Sequence, residues 1–178
     1  MKSVAVFCGS RLGADIYTEQ AKKLGTYLAD HNIRLVYGGG NVGLMGVIAD
    51  SVLASGGEVI GVIPGFLRDK EVAHNGLTEL HIVDNMHERK KMMADYSDGF
   101  IMMPGGAGTL EEFFEIFTWA QLELHHKPIG IFNIDGYYHT LYQMLVEMHD
   151  RGFLDERYLS LAVLEEEPDA LIKAMTLN

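Results

Sequence analysis

The sequence predicts an α/β fold, a doubly wound parallel sheet with helices on both faces. Short apolar segments alternate along the chain with longer segments whose apolar residues recur at helical spacing. Several apolar segments are continuous rather than interrupted by polar residues, which is typical of strands buried on both faces. Because the 178 residues contain no linker or low-complexity segment, we expect residues 1–178 to form a single domain.

The first half of the chain contains four predicted strands and three predicted helices. Apolar segments predict strands at residues 4–7, 34–37, 58–63 and 80–83. Helices are predicted at residues 14–31, from a glycine turn at 38–46 to about 55, and at 85–97. In the first helix, Tyr17, Ala21, Leu24 and Leu28 share one face. Residues 66–76 are polar and predict a loop with one helical turn.

The second half continues the same alternation. Strands are predicted at residues 99–103, 128–134 and 161–164. Helices are predicted at residues 113–124, 136–151 and 168–175. In the first of these helices, Phe113, Phe117, Ala120 and Leu124 recur at helical spacing. Because helical segments separate the strands, we expect the strands to be parallel.

The composition excludes several kinds of protein and partner. With 14 Lys and Arg residues and 25 Asp and Glu residues, the formal net charge of -11 argues against nucleic acid or an anionic membrane surface as a partner. The single cysteine, Cys8, allows no intrachain disulfide and lies in an apolar segment, as a buried structural thiol does. No apolar segment approaches the roughly 20 residues that span a membrane, and the first residues lack a signal-peptide pattern. We therefore expect a cytoplasmic protein.

The segment that best indicates function is Pro104-Gly105-Gly106-Ala107-Gly108-Thr109, which we name the glycine loop (residues 104–109). It follows a predicted buried strand and leads into a helix. Its glycines leave backbone N–H groups exposed, and the positive end of the helix dipole points into the same space. The loop therefore predicts a phosphate site, to which Thr109 adds a hydroxyl donor.

Two carboxylates, Glu111 and Glu112, follow the glycine loop in the first turn of the predicted helix. Their directions differ by about 100°, so only one of them can face the site. The alternative interpretation is that both merely stabilise the helix dipole.

Other loops are expected at the same edge of the sheet, because ligands of open α/β sheets bind outside the carboxyl ends of the strands. Ser10 follows the first strand, and the turn with Gly39 and Gly40 follows the second. We therefore include Ser10, Gly39 and Gly40 among the predicted substrate-binding residues.

The turn at residues 38–46 also allows a dinucleotide interpretation. Gly38, Gly40 and Gly43 match G-x-G-x-x-G, and Glu58 follows Gly38 by about 20 residues. However, the motif follows the second strand, and Glu58 begins the next strand instead of ending it, where a ribose-binding acid belongs. A tight packing turn is one alternative, and a nucleotide loop without NAD is the interpretation that we favour.

A charged residue interrupts an apolar helical face in the segment Met86-His87-Glu88-Arg89-Lys90-Lys91. Arg89 shares a face with Met86 and Met93, so it needs a partner. It either extends to solvent with an internal salt bridge or reaches over the sheet edge to a phosphate or carboxylate. Lys90 and Lys91 are expected to be solvated, although Lys90 is close enough to contribute. The histidines show no metal-ligand spacing, so we expect no metal and no other cofactor.

These two segments together resemble a known family. Residues 104–112 match P-G-G-x-G-T-x-x-E, and residues 86–90 match M-H-x-R-K. They resemble the Lonely-guy family, the cytokinin-activating phosphoribohydrolases, and the similarity continues at residues 61–64, 118–122 and 133–138. The resemblance implies a Rossmann-like fold, a homodimer with the site near its interface, and a nucleoside 5′-monophosphate as the substrate. The implied reaction cuts the N-glycosidic bond of a cytokinin riboside 5′-monophosphate and releases the free base and ribose 5-phosphate.

The resemblance also implies roles for individual residues. The catalytic pair of the family corresponds to Arg89 and Glu112. The implied nucleotide-binding residues are Glu71, Lys90, Gly105, Gly106, Ala107, Gly108, Thr109, Glu111 and Thr118. Relatives are often labelled lysine decarboxylases, but no residue of this sequence argues for the pyridoxal phosphate site that such an activity needs.

The chemistry of these residue types agrees with the implied reaction. Glycosidic cleavage builds positive charge on the sugar, which a carboxylate such as Glu112 can stabilise, or the carboxylate can activate water. Arg89 can hold the phosphate or orient the carboxylate. A nucleotide-binding module without catalysis and an NAD-dependent enzyme remain as alternatives. The preference between AMP and nucleotides with an N6-substituted adenine stays open.

Overall fold

The computed structural model describes residues 1–68 and 72–177. Its strands are β1 (Ser3–Phe7), β2 (Arg34–Tyr37), β3 (Val59–Pro64), β4 (Glu79–Val83), β5 (Phe100–Met102), β6 (Ile129–Phe132) and β7 (Ala162–Glu165). Its helices are α1 (Asp15–Asp30), α2 (Gly43–Ala54), α3 (Met86–Asp95), α4 (Ala107–Gln121), α5 (His139–Asp150), α6 (Glu156–Leu159) and α7 (Pro168–Leu177). None of the described helices is long and apolar enough to cross a membrane.

All seven strands pair in parallel in the order β4-β3-β2-β1-β5-β6-β7. From β1 the chain moves outward to β4, returns to the other side of β1 at β5, and then moves outward to β7. The order therefore changes direction between β1 and β5, which are paired through Phe7 and Met102 at their carboxyl ends. At such a switch point the loops after the two strands diverge and leave a crevice.

Helices cover both faces of the sheet, as predicted. Alternate residues of β1 point to opposite faces, so Val4 packs in one apolar cluster and Ala5 in the other. The first cluster contains Leu24 of α1, and the second contains Phe113 of α4. Helices α2 and α7 also contribute to the first cluster, whereas α3 and α5 contribute to the second. The prediction of a doubly wound α/β fold is thus confirmed.

Several predicted boundaries differ from the structure. The helix that contains Phe113 begins at Ala107, because the glycine loop leads into it directly. Glu111 and Glu112 therefore lie in its second turn and not, as predicted, in its first. The helix predicted at residues 136–151 is divided into a 3-10 turn (Ile134–Gly136) and α5, because Asp135 and Gly136 adopt positive φ angles of 51° and 69°. The short helix α6 was not predicted from the sequence.

Candidate active site

Three backbone segments converge at the carboxyl edge of the sheet, between β1 and β5. The N–H of Gly9, after β1, donates to the carbonyl of Pro104 in the glycine loop (3.0 Å). The carbonyl of Gly9 accepts from the N–H of Leu44, in the first turn of α2 (3.0 Å). Gly43 permits this contact, because its φ is 59° and a Cβ there would lie 2.2 Å from the carbonyl carbon of Ser10. The loops after β1 and β5 and the start of α2 therefore pack backbone against backbone.

The start of α4 presents backbone N–H groups at this edge. Gly106 is the N-cap residue, and no side chain caps the helix. The N–H groups of the first helical turn have no carbonyl partners within a helix. A Cβ built on Gly106 or Gly108 would meet no heavy atom within 4 Å, so the space in front of this turn is open. Together with the positive end of the helix dipole, these groups can bind an anion.

A cavity of about 320 Å³ lies in front of this helix start, and we name it the α4 cavity. Its lining residues come from the loop after β1, from α2, α3 and α4, and from the segment after β3. They are Cys8, Gly9, Ser10, Met45, Leu67, Met86, Arg89, Gly106, Ala107, Gly108, Thr109, Glu111 and Glu112. Both Glu111 and Glu112 line the cavity, so the expectation that only one of them faces the site is wrong. Within the described residues, no group of three or more His, Cys, Asp or Glu side chains could hold a metal ion.

Arg89 is the buried cation of the α4 cavity, with only 4% of its surface exposed. Its Nε donates to the carbonyl of Val62 (3.1 Å), and its Nη2 donates to the carbonyl of Gly38 (2.8 Å). Gly38 makes room for the guanidinium, because a Cβ there would lie 2.0 Å from Nη2. Arg89 therefore does not extend to solvent, and the carboxyl ends of β2 and β3 fix its position.

Lys90 forms an ion triad with Glu111 and Glu115. Its Nζ lies 2.6 Å from Glu111 and 2.7 Å from Glu115. The expectation that Lys90 is solvated is wrong, because only 6% of its surface is exposed. Burial alone would lower the pKa of Lys90, but the hydrogen bonds and charges of the two carboxylates outweigh burial and raise it. Lys91, in contrast, is exposed and pairs with Asp95 in α3.

Comparisons with known proteins identify the family. A family model described as "Possible lysine decarboxylase" matches residues 45–175. The cytokinin riboside 5′-monophosphate phosphoribohydrolase LOG1 of Arabidopsis thaliana is 43% identical over 175 residues, which cover 98% of this chain and 82% of that protein. The cytokinin riboside 5′-monophosphate phosphoribohydrolase of Rhodococcoides fascians is 45% identical over 176 residues, covering 98% of this chain and 89% of its own. The chain belongs to the Lonely-guy family.

Solved structures share the fold of this Lonely-guy protein. The molybdenum cofactor carrier protein of Chlamydomonas reinhardtii matches with a TM-score of 0.73 and 19% identity, covering 99% of this chain and 98% of that chain. The molybdenum cofactor binding protein of Rippkaea orientalis matches with a TM-score of 0.72 and 19% identity, covering 98% of this chain and 95% of that chain. At this identity, the likeness shows a common fold alone.

The structure brings most of the Lonely-guy motif residues to the α4 cavity and leaves others apart. Gly105 lies in the adjoining cavity, on the side of α1. Thr118 is exposed on α4, about two turns beyond Glu111. Lys90 is not among the lining residues but contacts Glu111, which is one of them. Glu71 lies outside the described residues.

Gly39 and Gly40 use their backbone groups within the protein. The carbonyl of Gly39 accepts from the N–H of His74 (2.9 Å), and the carbonyl of Gly40 accepts from the hydroxyl of Tyr37 (3.1 Å). Gly40 also forms an isolated bridge with Ala73. Neither glycine lines the α4 cavity. Their described contacts hold the segment that follows residue 71 against the end of β2.

Glu58, the acidic residue that a dinucleotide site would need, lies at the amino edge of the sheet and not at the carboxyl edge, where a ribose would bind. Glu58 precedes β3, and its carboxylate accepts from the Nε of Arg34 (2.8 Å) at the start of β2. Both residues line a groove at the amino edge, opposite to the α4 cavity. The spacing between Gly38 and Glu58 therefore does not correspond to a ribose-binding geometry.

An apolar wall of the α4 cavity and one member of the ion triad were not predicted from the sequence. Met45, Leu67 and Met86 form the apolar wall of the α4 cavity, and the Nη1 of Arg89 contacts the Sδ of Met86 (3.9 Å). Met86 was predicted to share a face with Arg89, which was the available signal for its position. Glu115 lies one turn after Glu111, but its contact with Lys90 depends on how α3 packs against α4. Helical periodicity alone contains no information about that packing.

Proposed function

We propose that this protein hydrolyses the N-glycosidic bond of cytokinin riboside 5′-monophosphates and releases the free base and ribose 5-phosphate. One observation carries the proposal: the α4 cavity combines a helix N-terminus, the buried cation Arg89 and the carboxylate of Glu112. An anion site next to an acid suits cleavage of a phosphorylated glycoside. The two relatives described above are named for the same reaction, which supports the proposal.

The 5′-phosphate is expected to bind at the start of α4. The N–H groups of Ala107, Gly108 and Thr109 belong to the first turn of the helix and line the α4 cavity. The hydroxyls of Thr109 and Ser10 line the same cavity and can add hydrogen bonds. Because the net charge of the protein is -11, these local groups must overcome a repulsive overall field. Once bound, the phosphate holds the sugar at a fixed place relative to Glu112.

Glu112 is proposed to act on the sugar. Water adds to C1′ while the bond from C1′ to the base nitrogen breaks, and the electron pair of that bond leaves with the base. Positive charge develops on the sugar ring, which the carboxylate of Glu112 stabilises, or the carboxylate accepts a proton from the attacking water. The leaving base takes up a proton. Arg89 is held by two backbone carbonyls and is proposed to contact the phosphate or to orient Glu112.

The apolar wall of the α4 cavity is proposed to contact the base. Met45, Leu67 and Met86 offer flexible apolar side chains, which adapt to a planar ring and its substituents. This composition suits an adenine that carries an apolar N6 group, and we propose AMP as an additional substrate. Glu71, Lys90, Gly105, Glu111, Thr118, Gly39 and Gly40 are further proposed contributors to binding, directly or through the loops that they hold.

We also propose that the protein works in the cytoplasm as a homodimer. The buried thiol of Cys8 is the only cysteine in the chain, and proteins without disulfides are typical of reducing compartments. A groove of about 560 Å³ between α3 and α4 is lined by Trp119 and the exposed Leu124, with the buried Phe100 at its base. A second copy of the chain could cover this groove.

A lysine decarboxylase, the activity in the description of the family model, finds less support in the same cavity. A Schiff-base lysine must lose its proton to react. Lys90 lies beside the α4 cavity, where two carboxylates raise its pKa and keep it charged. No lysine of the described residues lines the cavity itself.

Product analysis tests the proposed hydrolysis. The purified protein is incubated with N6-isopentenyl-AMP, with AMP, and with the nucleoside N6-isopentenyladenosine as a control without phosphate. Free base together with ribose 5-phosphate is expected from the nucleotides, and much slower release is expected from the nucleoside. Nucleotides that bind but stay intact would instead favour a binding module without catalysis. Quenching of NADH fluorescence with no base release would favour the NAD-dependent alternative.

A further inference from the structure

The carbonyl groups of three consecutive residues in and before the glycine loop are each bonded by a different donor. The carbonyl of Met103 accepts from the hydroxyl of Tyr138 (2.7 Å). The carbonyl of Pro104 accepts from the N–H of Gly9 (3.0 Å). The carbonyl of Gly105 accepts from the hydroxyl of Tyr137 (2.7 Å). Two neighbouring tyrosines after β6 therefore contact the segment that precedes α4.

The backbone between β6 and α5 is arranged to bring both tyrosines to this segment. Asp135 and Gly136 have positive φ angles of 51° and 69°, so the chain reverses immediately before Tyr137. A non-glycine residue in this conformation is strained and persists only where surrounding contacts require it. The buried amide of Asn133 supports the turn, because its Oδ1 accepts from the N–H of Tyr138 (2.8 Å).

The rings of both tyrosines are held by aromatic contacts. The ring of Tyr137 packs edge to face on Tyr17 at 5.7 Å and on Tyr138 at 4.8 Å. Tyr138 is only 2% exposed, and burial first, then the charge of Tyr137, raises its pKa far above the usual range. Tyr138 therefore remains a neutral hydrogen-bond donor. Tyr137 is 45% exposed, so its side chain does not serve to fill the hydrophobic core.

The hydrogen bond to Gly105 determines the direction of the next N–H group. In a trans peptide the carbonyl of one residue and the N–H of the next point in opposite directions. The carbonyl of Gly105 points to Tyr137, so the N–H of Gly106 points away from it. Tyr137 lines the cavity on the α1 side and not the α4 cavity, whereas Gly106 lines both. Without such a bond, a peptide between two glycines could rotate at little cost.

We propose that Tyr137 and Tyr138 are positioning residues that hold the glycine loop in its phosphate-binding conformation. The inference rests on the proposed function, since it assigns these residues to the phosphate subsite of the same reaction. By fixing the carbonyls of Met103 and Gly105, the two hydroxyls keep the N–H groups at the start of α4 arranged before the ligand arrives. Because the glycine loop is already ordered before the phosphate binds, binding does not lose free energy in ordering it.

The test compares Tyr137→Phe with Tyr142→Phe, a matched control on α5 that lies outside the glycine loop and both cavities. Inorganic phosphate and ribose 5-phosphate are the probes, and their dissociation constants are measured by calorimetry. Losing one hydrogen bond that orients the loop is expected to weaken binding of both probes about 5- to 10-fold. In steady-state assays, KM for the nucleotide is expected to rise by a similar factor while kcat changes less. Tyr142→Phe is expected to match the wild type.

Tyr138→Phe provides a second variant and is expected to weaken phosphate binding in the same direction. Thermal unfolding of both variants separates loop positioning from general stability, because a merely structural role would lower the melting temperature and leave the dissociation constants unchanged. Unchanged phosphate binding in Tyr137→Phe and Tyr138→Phe would overturn the proposal, as would a wild-type protein that binds neither probe. Phosphate binding that depends on Tyr137 in a protein without base release would reject the proposed hydrolysis and retain the role of the tyrosines.

Discussion

Arg89 is a buried cation that donates to two backbone carbonyls of the sheet and is proposed to contact the ligand. A guanidinium carries five N–H donors, and two of those in Arg89 bind the carbonyls of Val62 and Gly38. Both carbonyls belong to or follow neighbouring strands, so the sheet fixes the cation at the wall of the α4 cavity. A lysine carries its charge on a single nitrogen and cannot reproduce this planar arrangement.

Replacing Arg89 with lysine is therefore expected to lower activity, even though the positive charge is kept. Arg89→Lys should lower kcat/KM about 30- to 100-fold, which corresponds to about 2–3 kcal/mol for charged hydrogen bonds. Lys22→Arg, on the exposed side of α1, is the control and should leave kcat/KM within about 2-fold of the wild type, as surface changes usually do. Equal kcat/KM in both variants would show that the buried guanidinium has no part in the reaction.

Glu111 and Glu112 are neighbours on α4 whose side chains leave the helix about 100° apart. The same change, from Glu to Gln, can be made at each and the effects compared. Glu112→Gln removes the negative charge that is proposed to face the sugar and should lower kcat at least about 1,000-fold while nucleotide binding is largely kept. Glu111→Gln removes a carboxylate that pairs with Lys90, and its loss of kcat should be much smaller. Single-turnover kinetics and calorimetry with the nucleotide measure the two effects separately. Comparable kcat values for Glu112→Gln and wild type would assign the catalytic role elsewhere.

At the scale of elements, the ion triad connects α3, which carries Arg89, with α4, which carries Glu112. Lys90 is buried, whereas its partners Glu111 and Glu115 have side chains that are 55% and 22% exposed. Removing the cation leaves two carboxylates next to each other without compensation. This cost is about 2 kcal/mol, below the roughly 3–5 kcal/mol of fully buried pairs, because both carboxylates keep contact with water.

Lys90→Met should therefore lower the melting temperature by about 4–8 °C. The double variant Lys90→Met/Glu115→Gln should recover part of this loss, since it removes one of the two repelling charges. Differential scanning calorimetry of both variants measures these changes. A double variant that is no more stable than Lys90→Met would show that repulsion between Glu111 and Glu115 is not the cause.

The stability that Lys90 contributes depends on pH, because the pKa of Lys90 is raised in the folded protein. A base whose pKa is higher in the folded state contributes stability below its unfolded pKa, and the contribution is lost as the pH rises through the folded value. The ordinary pKa of lysine is 10.5, so the loss falls in the alkaline range. The difference in unfolding free energy between wild type and Lys90→Met should thus be equal at about pH 7 and pH 9. Urea unfolding at both pH values checks this. A smaller difference at pH 9 than at pH 7 would mean that the two carboxylates do not keep Lys90 protonated.

The elements of the site differ in how far the sequence could predict them. The glycine loop could be selected from the sequence because glycines before a helix start leave backbone N–H groups that can bind an anion, which is a matter of local backbone geometry. The ion triad and the hydroxyl contacts of Tyr137 and Tyr138 were not identified, because they join residues 21 to 35 positions apart. Such contacts depend on the order of strands and on how helices pack, which a single sequence does not contain. The same limit explains why Lys90 was expected to be solvated.

At the scale of the whole molecule, the strand order explains why the loops after β1 and β5 meet. The alternation of apolar segments predicted the doubly wound sheet, since continuous apolar strands need cover on both faces. It did not specify the order β4-β3-β2-β1-β5-β6-β7, in which β1 and β5 become neighbours. That order brings Gly9 within hydrogen-bond distance of Pro104, although the two residues are far apart in the sequence. The crevice between these loops is where a ligand of an open α/β sheet is expected to bind.

The last prediction concerns the proposed homodimer and the groove between α3 and α4. Leu124 is 68% exposed at this groove, next to Trp119 and Phe100, and a partner that covers it would bury apolar surface. Leu124→Glu places a charge there, in a protein that already carries a net charge of -11, and should convert the dimer to a monomer. Phe153→Glu makes the same charge change at a side chain that is 85% exposed and lies outside the groove, so this control should stay dimeric.

Light scattering coupled to size-exclusion chromatography distinguishes the outcomes at equal protein concentration. A monomeric Leu124→Glu next to a dimeric Phe153→Glu would place the interface at the groove between α3 and α4. Because the carboxylate of Glu115 belongs both to this groove and to the ion triad beside the α4 cavity, loss of the partner should also raise KM for the nucleotide. Wild-type protein that elutes as a monomer at all concentrations would reject the homodimer, and the exposed apolar groove would then need another partner.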